Sequence, residues 1–447
     1  MCYPVIGLMG LLACNGKNFE IPEPSFDEVQ VSGVETSLDE VYQTLMTVTW
    51  EQEAAATVWV EYSVDEGEWM NSPSRSVEAG EVSQLLLGLP YEHTVTLRLA
   101  NEFGDGVLYS ELYTDSTGLY PDDFPEPVTV EGDGSQWDSE LRYVFLSMDS
   151  TSRDGMYTFI IDRRGRAVWA RRNTDYTVSL HARVSADGSQ LLIDENTYWA
   201  VFDDGAGSTI KRMHIDGTEV ETIDTPGLHH PFTELPDGTI AWAAHDGYNE
   251  QLMLRSPEGD VESIFDCQEF LAAHEYRSYC GSNTLWYDPA TDHFLYSLYS
   301  AETVVEVDRA TGDAVRHFGH IDDAWSFEPE ESAFWWQHGA YFTDEGNLIV
   351  SSKNVDSGTE TVVREYALDE ETETLTMVWS FGEGEGVFGD VMGEAHRLEG
   401  GNTLHNYGSA TRIREVTPEG EVVWDVSWDR TTLGRSTPIS DLYALMP

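Results

Sequence analysis

A turn followed by an apolar strand recurs six times between residues 162 and 424. The copies are Asp162-Arg163-Arg164-Gly165-Arg166-Ala167-Val168-Trp169, Asp216-Gly217-Thr218-Glu219-Val220, Pro257-Glu258-Gly259-Asp260-Val261, Thr311-Gly312-Asp313-Ala314-Val315, Glu371-Thr372-Glu373-Thr374-Leu375 with Val378-Trp379, and Pro418-Glu419-Gly420-Glu421-Val422-Val423-Trp424. Their spacing of about 40–60 residues is that of a propeller blade with some long loops. Each copy has an upstream strand with an Asp-Gly or Gly-Asn turn. The expectation is a six-bladed β-propeller over residues 128–447, with unequal unit lengths leaving five or seven blades open.

Residues 25–118 read differently. Short alternating strands such as Thr47-Val48-Thr49-Trp50 and Thr57-Val58-Trp59-Val60-Glu61-Tyr62 follow one another at about 8–12-residue spacing, which suggests a β-sandwich. The strand-borne Trp50, the stretch Gly88-Leu89-Pro90-Tyr91 and the turn at Asn101 make this segment similar to a fibronectin type III domain. The resemblance implies a spacer or binding module without catalytic residues. Residues 15–24 and 119–127 read as linkers. The chain as a whole is expected to be all-β.

Val5 to Ala13 is a short apolar run, and Leu11-Leu12-Ala13-Cys14 ends it. A small residue before cysteine after such a run resembles a bacterial lipoprotein signal at residues 1–14, with Cys14 as the lipidated residue. Met1-Cys2-Tyr3-Pro4 lacks the usual basic residue. The resemblance implies export and a lipid anchor in the cell envelope, facing the periplasm or the cell surface. In that oxidising setting Cys267 and Cys280, 13 positions apart, read as a local disulfide. They do not resemble a zinc site, because no second cysteine pair or regular histidine pair accompanies them. The net charge of −57, from 81 acidic and 24 basic residues, repels nucleic-acid phosphates and anionic membranes.

Histidines recur where the units begin. His181 precedes Asp187-Gly188, His229 and His230 precede Asp237-Gly238, His338 precedes Glu345-Gly346, and His396 precedes Gly400-Gly401. His230 and His338 each stand eight residues before their turn glycine, while His181 and His396 are out of that register. Equivalent positions of a ring fold converge on one axis, so these imidazoles are candidates for one central site as nucleophile, general base or metal ligand. The corresponding unit at Gly281-Ser282-Asn283-Thr284 carries Asn283 instead. Trp335 and Trp336, beside His338, suit either an aromatic substrate or a packed blade interface.

Four pieces of residues 225–430 resemble the bacterial arylsulfotransferases. They are His229-His230 before Leu235-Pro236-Asp237-Gly238, Asn283-Thr284-Leu285-Trp286-Tyr287-Asp288 before Ser297 to Ser300, Gln337-His338 before Gly346-Asn347, and Gly401-Asn402-Thr403-Leu404 before Arg414-Glu415-Val416 and Gly420-Glu421-Val422-Val423-Trp424. The resemblance implies an envelope propeller that moves a sulfuryl group from an aryl sulfate to a phenol. No cofactor, and in particular no 3′-phosphoadenosine phosphosulfate, takes part. His338 matches the histidine that is transiently sulfated, His230 or His229 a second channel histidine, and Asn283 an asparagine of the third motif. The family histidine two residues before that asparagine is Gly281 here, and the family arginine of the following strand is absent, with Tyr299 near its place. Loss of such donors weakens transition-state stabilisation on the order of 10²-fold or more per group. Arg183, Arg397, His181 and His396 are candidate substitutes. The alternative is a noncatalytic envelope propeller that binds an aromatic or anionic ligand or a surface protein. A metal-dependent lyase or hydrolase using the channel histidines is a third reading.

Overall fold

The computed structural model describes residues 31–103, 106–173, 177–198, 205–354 and 358–447. The expected signal with Cys14, the linker 15–24 and the first residues of the N-terminal domain lie outside them. Strands carry nearly all the regular structure, in keeping with the all-β expectation. Among the described residues no helix is long and apolar enough to cross a membrane.

The N-terminal strands form two sheets. One holds Val31–Leu38, Met46–Gln52 and Gly80–Leu86, and the other is built on Ala56–Val64 and Thr94–Phe103. Period-two alternation turns Met46, Val48 and Trp50 of one sheet toward Val58, Val60, Tyr62 and Leu97 of the other, and all are buried. Gln52 satisfies the buried Trp50 indole at 2.9 Å and donates to Asn101 Oδ1 at 2.9 Å.

Six further sheets follow, each of four or five strands. The second to sixth start with the strands Ala182–Val184, Leu228–Glu234, Ser282–Asp288, Trp335–Phe342 and Glu394–Arg397, and their remaining main strands follow by antiparallel pairing. The first sheet is made from both ends of the region. The late strand Leu433–Ile439 pairs with the early strand Tyr143–Asp149, which continues to Met156–Asp162 and Ala167–Arg172. This is a propeller-like β fold, and its first sheet is completed last.

Each of the six recurring turns lies in the hairpin between the last two strands of a sheet. The tryptophans of this motif tie neighbours together. The Trp169 indole donates to Ile215 O (2.9 Å), Trp379 to Pro418 O (2.9 Å) and Trp424 to Arg163 O (2.9 Å), each reaching the turn of the next sheet. A buried indole is stabilised when its N–H finds such an acceptor.

The stretch 119–127, expected as a linker, is packed. Tyr120 stacks on Phe124 at 5.2 Å, and Phe124 meets Phe159 edge-on at 5.0 Å. The two units also touch through Tyr42 stacked on Trp169 (5.2 Å) and Leu87 N donating to Tyr443 Oη (3.2 Å). Cys267 and Cys280 are disulfide-bonded and close the excursion between the third and fourth sheets, which contains the helix Cys267–Ala273.

Candidate active site

The first strands of the six sheets bring different polar residues to the centre. These are Arg435 from the first sheet, His181 just before the second, His229 and His230 from the third, Asn283 from the fourth, His338 from the fifth and Glu394 from the sixth. Four of these strands bulge there. Pairing jumps from Leu228 to Phe232 around His229 and His230, from Ser282 to Thr284 around Asn283, from Trp335 to His338 and again to Ala340, and from Leu433 to Ser436 around Arg435. A bulge leaves residues outside the ladder and re-aims their side chains. The period-two rule therefore fails at the positions that build the site.

His338 is held by its own strand. Its Nδ1 lies 3.1 Å from the Trp336 carbonyl oxygen. A carbonyl can only accept, so Nδ1 carries the proton and Nε2 of the neutral ring keeps its lone pair. Burial, then the Arg435 and Lys353 charges, push the His338 pKa down to about 3, so the ring is neutral near pH 7. Trp336 has φ of +47° and Gly339 has φ of +68°, so the backbone is left-handed on both sides of Gln337-His338. A Cβ on Gly339 would fall 2.6 Å from the Glu394 Cβ. Gln337, fully buried, donates to Ser297 Oγ and Thr303 O, both at 3.2 Å, and anchors the segment to the fourth sheet. The Tyr299 ring lies 5.0 Å from the His338 ring.

Arg435 was not singled out from sequence. Its guanidinium is fully buried and reaches across to the fourth sheet, where Nη2 donates to Asn283 O (2.7 Å) and Thr284 Oγ1 (2.8 Å). Nη1 donates to Gly393 O, and the backbone N–H donates to Leu180 O (2.8 Å). Among the described residues Arg435 forms no ion pair, and its Nε has no hydrogen-bond partner. Burial pulls its pKa down to about 10, so it stays charged at neutral pH. Asn283 Nδ2 in turn donates to Gln337 O (2.6 Å), and Gly339 N donates to Thr284 Oγ1 (2.8 Å).

The other histidines divide. His181, with neither ring nitrogen hydrogen-bonded, is fully buried, His230 keeps some exposure, and desolvation drives both pKa values well below 6.5. Arg435 lies among the charges that lower them further. The His229 ring is 4.5 Å from that of His230, and its Nε2 is 3.2 Å from the buried carboxylate of Glu250. Glu250 also accepts from Ser282 N (2.9 Å) and the Tyr296 hydroxyl (2.7 Å). His396 Nε2 is 3.5 Å from Glu394. Burial raises the Glu394 pKa, but Arg183, His396 and Arg435 outweigh it and hold the carboxyl well below its ordinary range.

Three candidate residues sit away from the His338 ring or at the edge of its surroundings. Trp335 stacks on His320 at 3.7 Å and lines a crevice of about 800 Å³ with Trp325, Phe327 and Arg364. Arg397 pairs with Glu365, donates to Thr403 Oγ1 (2.6 Å) and covers Trp379 at 4.7 Å, so it ties the fifth sheet to the sixth. Trp336 is 40% exposed, with Lys353 Nζ 5.5 Å from its ring centre. Among the described residues, no group of three or more His, Cys, Asp or Glu side chains is placed to hold a metal ion.

Arg435, Glu394, Glu250 and Lys353 were missed. The one signal for Arg435 was a lone cation in Leu433-Gly434-Arg435-Ser436, a strand that no Asp-Gly turn marks.

The solved structures that match the chain are distant in sequence. A protein of unknown function from Bacteroides caccae is 15% identical, covering 67% of this chain and 100% of its own, with a TM-score of 0.45. A virginiamycin B lyase from Staphylococcus aureus with quinupristin is 10% identical, covering 70% and 99%, with a TM-score of 0.41. A 6-phosphogluconolactonase-like protein from Bacteroides uniformis is 11% identical, covering 86% and 99%, with a TM-score of 0.40. No curated protein matches the chain. The arylsulfotransferase (ASST) family model matches residues 133–433, which contain all the central histidines. The chain belongs to the arylsulfotransferase family.

Proposed function

We propose that the chain is an arylsulfotransferase that works through His338 at the centre of a six-bladed propeller. The Nε2 lone pair attacks the sulfur of an aryl sulfate. An N–S bond forms, the S–O bond to the aryl group breaks, and the electron pair leaves with the phenolate. A phenol then gives up its proton and attacks the same sulfur, and the N–S bond breaks. The His229–Glu250 pair takes that second proton, since the carboxylate 3.2 Å from His229 Nε2 stabilises the protonated ring, and His230 adjoins it. Both steps proceed without a cofactor.

The observation that carries this reading is the Nδ1 hydrogen bond of His338 to the Trp336 carbonyl. It sets the tautomer, so that the ring kept neutral by burial has its lone pair on Nε2, which supports a nucleophilic role. Membership of the family supports the reaction class. Because the enclosed histidines are neutral, the leaving phenolate draws its proton from water, and donors with acidic phenols react fastest.

The test is phenol release from a chromogenic aryl sulfate with a phenolic acceptor and no cofactor. The intact enzyme, quenched with donor alone, should gain the mass of one sulfuryl group on His338. Release without that adduct sinks the nucleophile assignment. No release at low or high salt favours the noncatalytic ligand-binding reading. We also propose that the N-terminal sandwich is a fibronectin type III-like spacer and that Cys14 anchors the chain to the envelope. Failure of a Cys14→Ser variant to lose lipid label would refute the anchor.

A further inference from the structure

Arg435 is a buried cation with no direct ion pair among the described residues, and the buried Glu394 carboxylate compensates it only from a distance. Its Nη groups are spent on neutral acceptors, Gly393 O, Asn283 O and Thr284 Oγ1, which fix the guanidinium across the centre. Its Nε is buried and unused, and both ring nitrogens of His181 are buried and unused as well. Leu180, whose carbonyl accepts the Arg435 backbone N–H at 2.8 Å, immediately precedes His181, so the two residues are held beside each other. A buried charge and buried donors left open are costly unless something polar completes them. What completes a guanidinium and an imidazole together is an oxyanion.

We infer that Arg435 and His181 form the oxyanion cradle of the site and bind the non-transferring sulfuryl oxygens while His338 attacks. This rests on the sulfotransfer reading above. It gives the chain a cation from the first sheet, where the family resemblance led to one in the fourth. The fixed contacts of Arg435 to Asn283 O and Thr284 Oγ1 place its charge beside the strand that lacks the family arginine. In the transfer, the sulfur exchanges its aryl oxygen for His338 Nε2, and the three remaining oxygens keep their negative charge throughout. Donors already in place lower the barrier by holding those oxygens without rearranging. Arg435 and His181 touch the reacting group and are catalytic residues on this assignment.

Two experiments decide it. Wild-type crystals soaked in selenate, located by its anomalous signal, should show the anion with an oxygen within about 3 Å of Arg435 Nε and of a His181 ring nitrogen. Selenate absent from the centre, or bound there without either residue, overturns the inference. In solution, Arg435→Gln and His181→Phe, each checked for folding, should lower kcat/KM at least about 100-fold and weaken sulfate binding at fixed ionic strength. Arg435→Lys should fall between. A folded Arg435→Gln protein with wild-type turnover and sulfate binding refutes the cradle while leaving sulfotransfer intact. Selenate seated on Arg435 in a protein that never turns over an aryl sulfate leaves the cradle intact and refutes sulfotransfer. Should Arg435→Gln fail to fold, the wild-type crystal decides alone.

Discussion

The outer hairpins and the inner strand ends of the six sheets obey opposite rules. Around the rim the same motif returns, and where it carries tryptophan the indole of one sheet satisfies the turn carbonyl of the next, as Trp169, Trp379 and Trp424 do. At the centre the sheets contribute unlike residues, Arg435, His181, His230, Asn283, His338 and Glu394. Repetition supplies the frame, and chemistry enters where repetition is broken by a bulge.

The sharpest way to break this contrast is His338→Ala. We expect turnover to fall by at least about 10³-fold with a melting temperature close to wild type, because the ring carries the covalent step. An activity loss matched by unfolding would place His338 in the frame instead. Trp424→Ala should do the reverse. It removes a buried indole and its bond to Arg163 O and should cost about 3–5 kcal/mol in denaturant unfolding, with activity per folded molecule retained.

Two glycines test the same contrast at matched backbone geometry. Gly339 and Gly346 both have left-handed φ, +68° and +80°, but a Cβ would strike Glu394 at the first and open space at the second. Gly346→Ala should cost about 1–2 kcal/mol and leave kcat/KM alone. Gly339→Ala should cost more than that and lower kcat/KM by displacing His338 and Glu394. Equal effects of the two changes on kcat/KM would contradict the placement of the site.

The last test is of pH dependence. The folded His338 ring stays neutral down to about pH 3, whereas an unfolded histidine takes up a proton below about pH 6.5. Acid therefore favours the unfolded chain, and this contribution, complete above pH 6.5, is lost at about 1.4 kcal/mol per pH unit below it. His338→Asn should flatten the fall of stability between pH 6.5 and 4 by one proton. An unchanged slope would mean that the ring protonates in the folded state.

The rim was legible because turns need particular residues. Asp-Gly and Pro-Glu-Gly sequences fix hairpins locally, and each of the six marks lies in one. His230 and His338 were marked by a shared register eight residues before a turn glycine, and His181, which lacks that register, was not. The bulges were not legible, because an extra residue against a partner strand is a fact about pairing, and the partner cannot be identified from one strand alone. Arg397 illustrates the loss. Its place beside His396 suggested the centre, yet it turns outward to Glu365 and Trp379. Arg435 shows the opposite case, since its strand pairs with Tyr143–Asp149 and nothing in its local pattern announces a channel position. The stretch 119–127, between Pro121 and Pro127, was expected as a linker, but Tyr120 and Phe124 give it an aromatic anchor.

Closure of the first sheet also sets a sequence of events. The strand Leu433–Ile439 is synthesised after every other strand of the six sheets, and it carries the guanidinium that spans the centre. A nascent chain stalled before residue 433 would own its histidines but neither a completed first sheet nor the cation proposed to bind the sulfuryl oxygens. Completion of the first sheet and delivery of the central guanidinium thus arrive in one move.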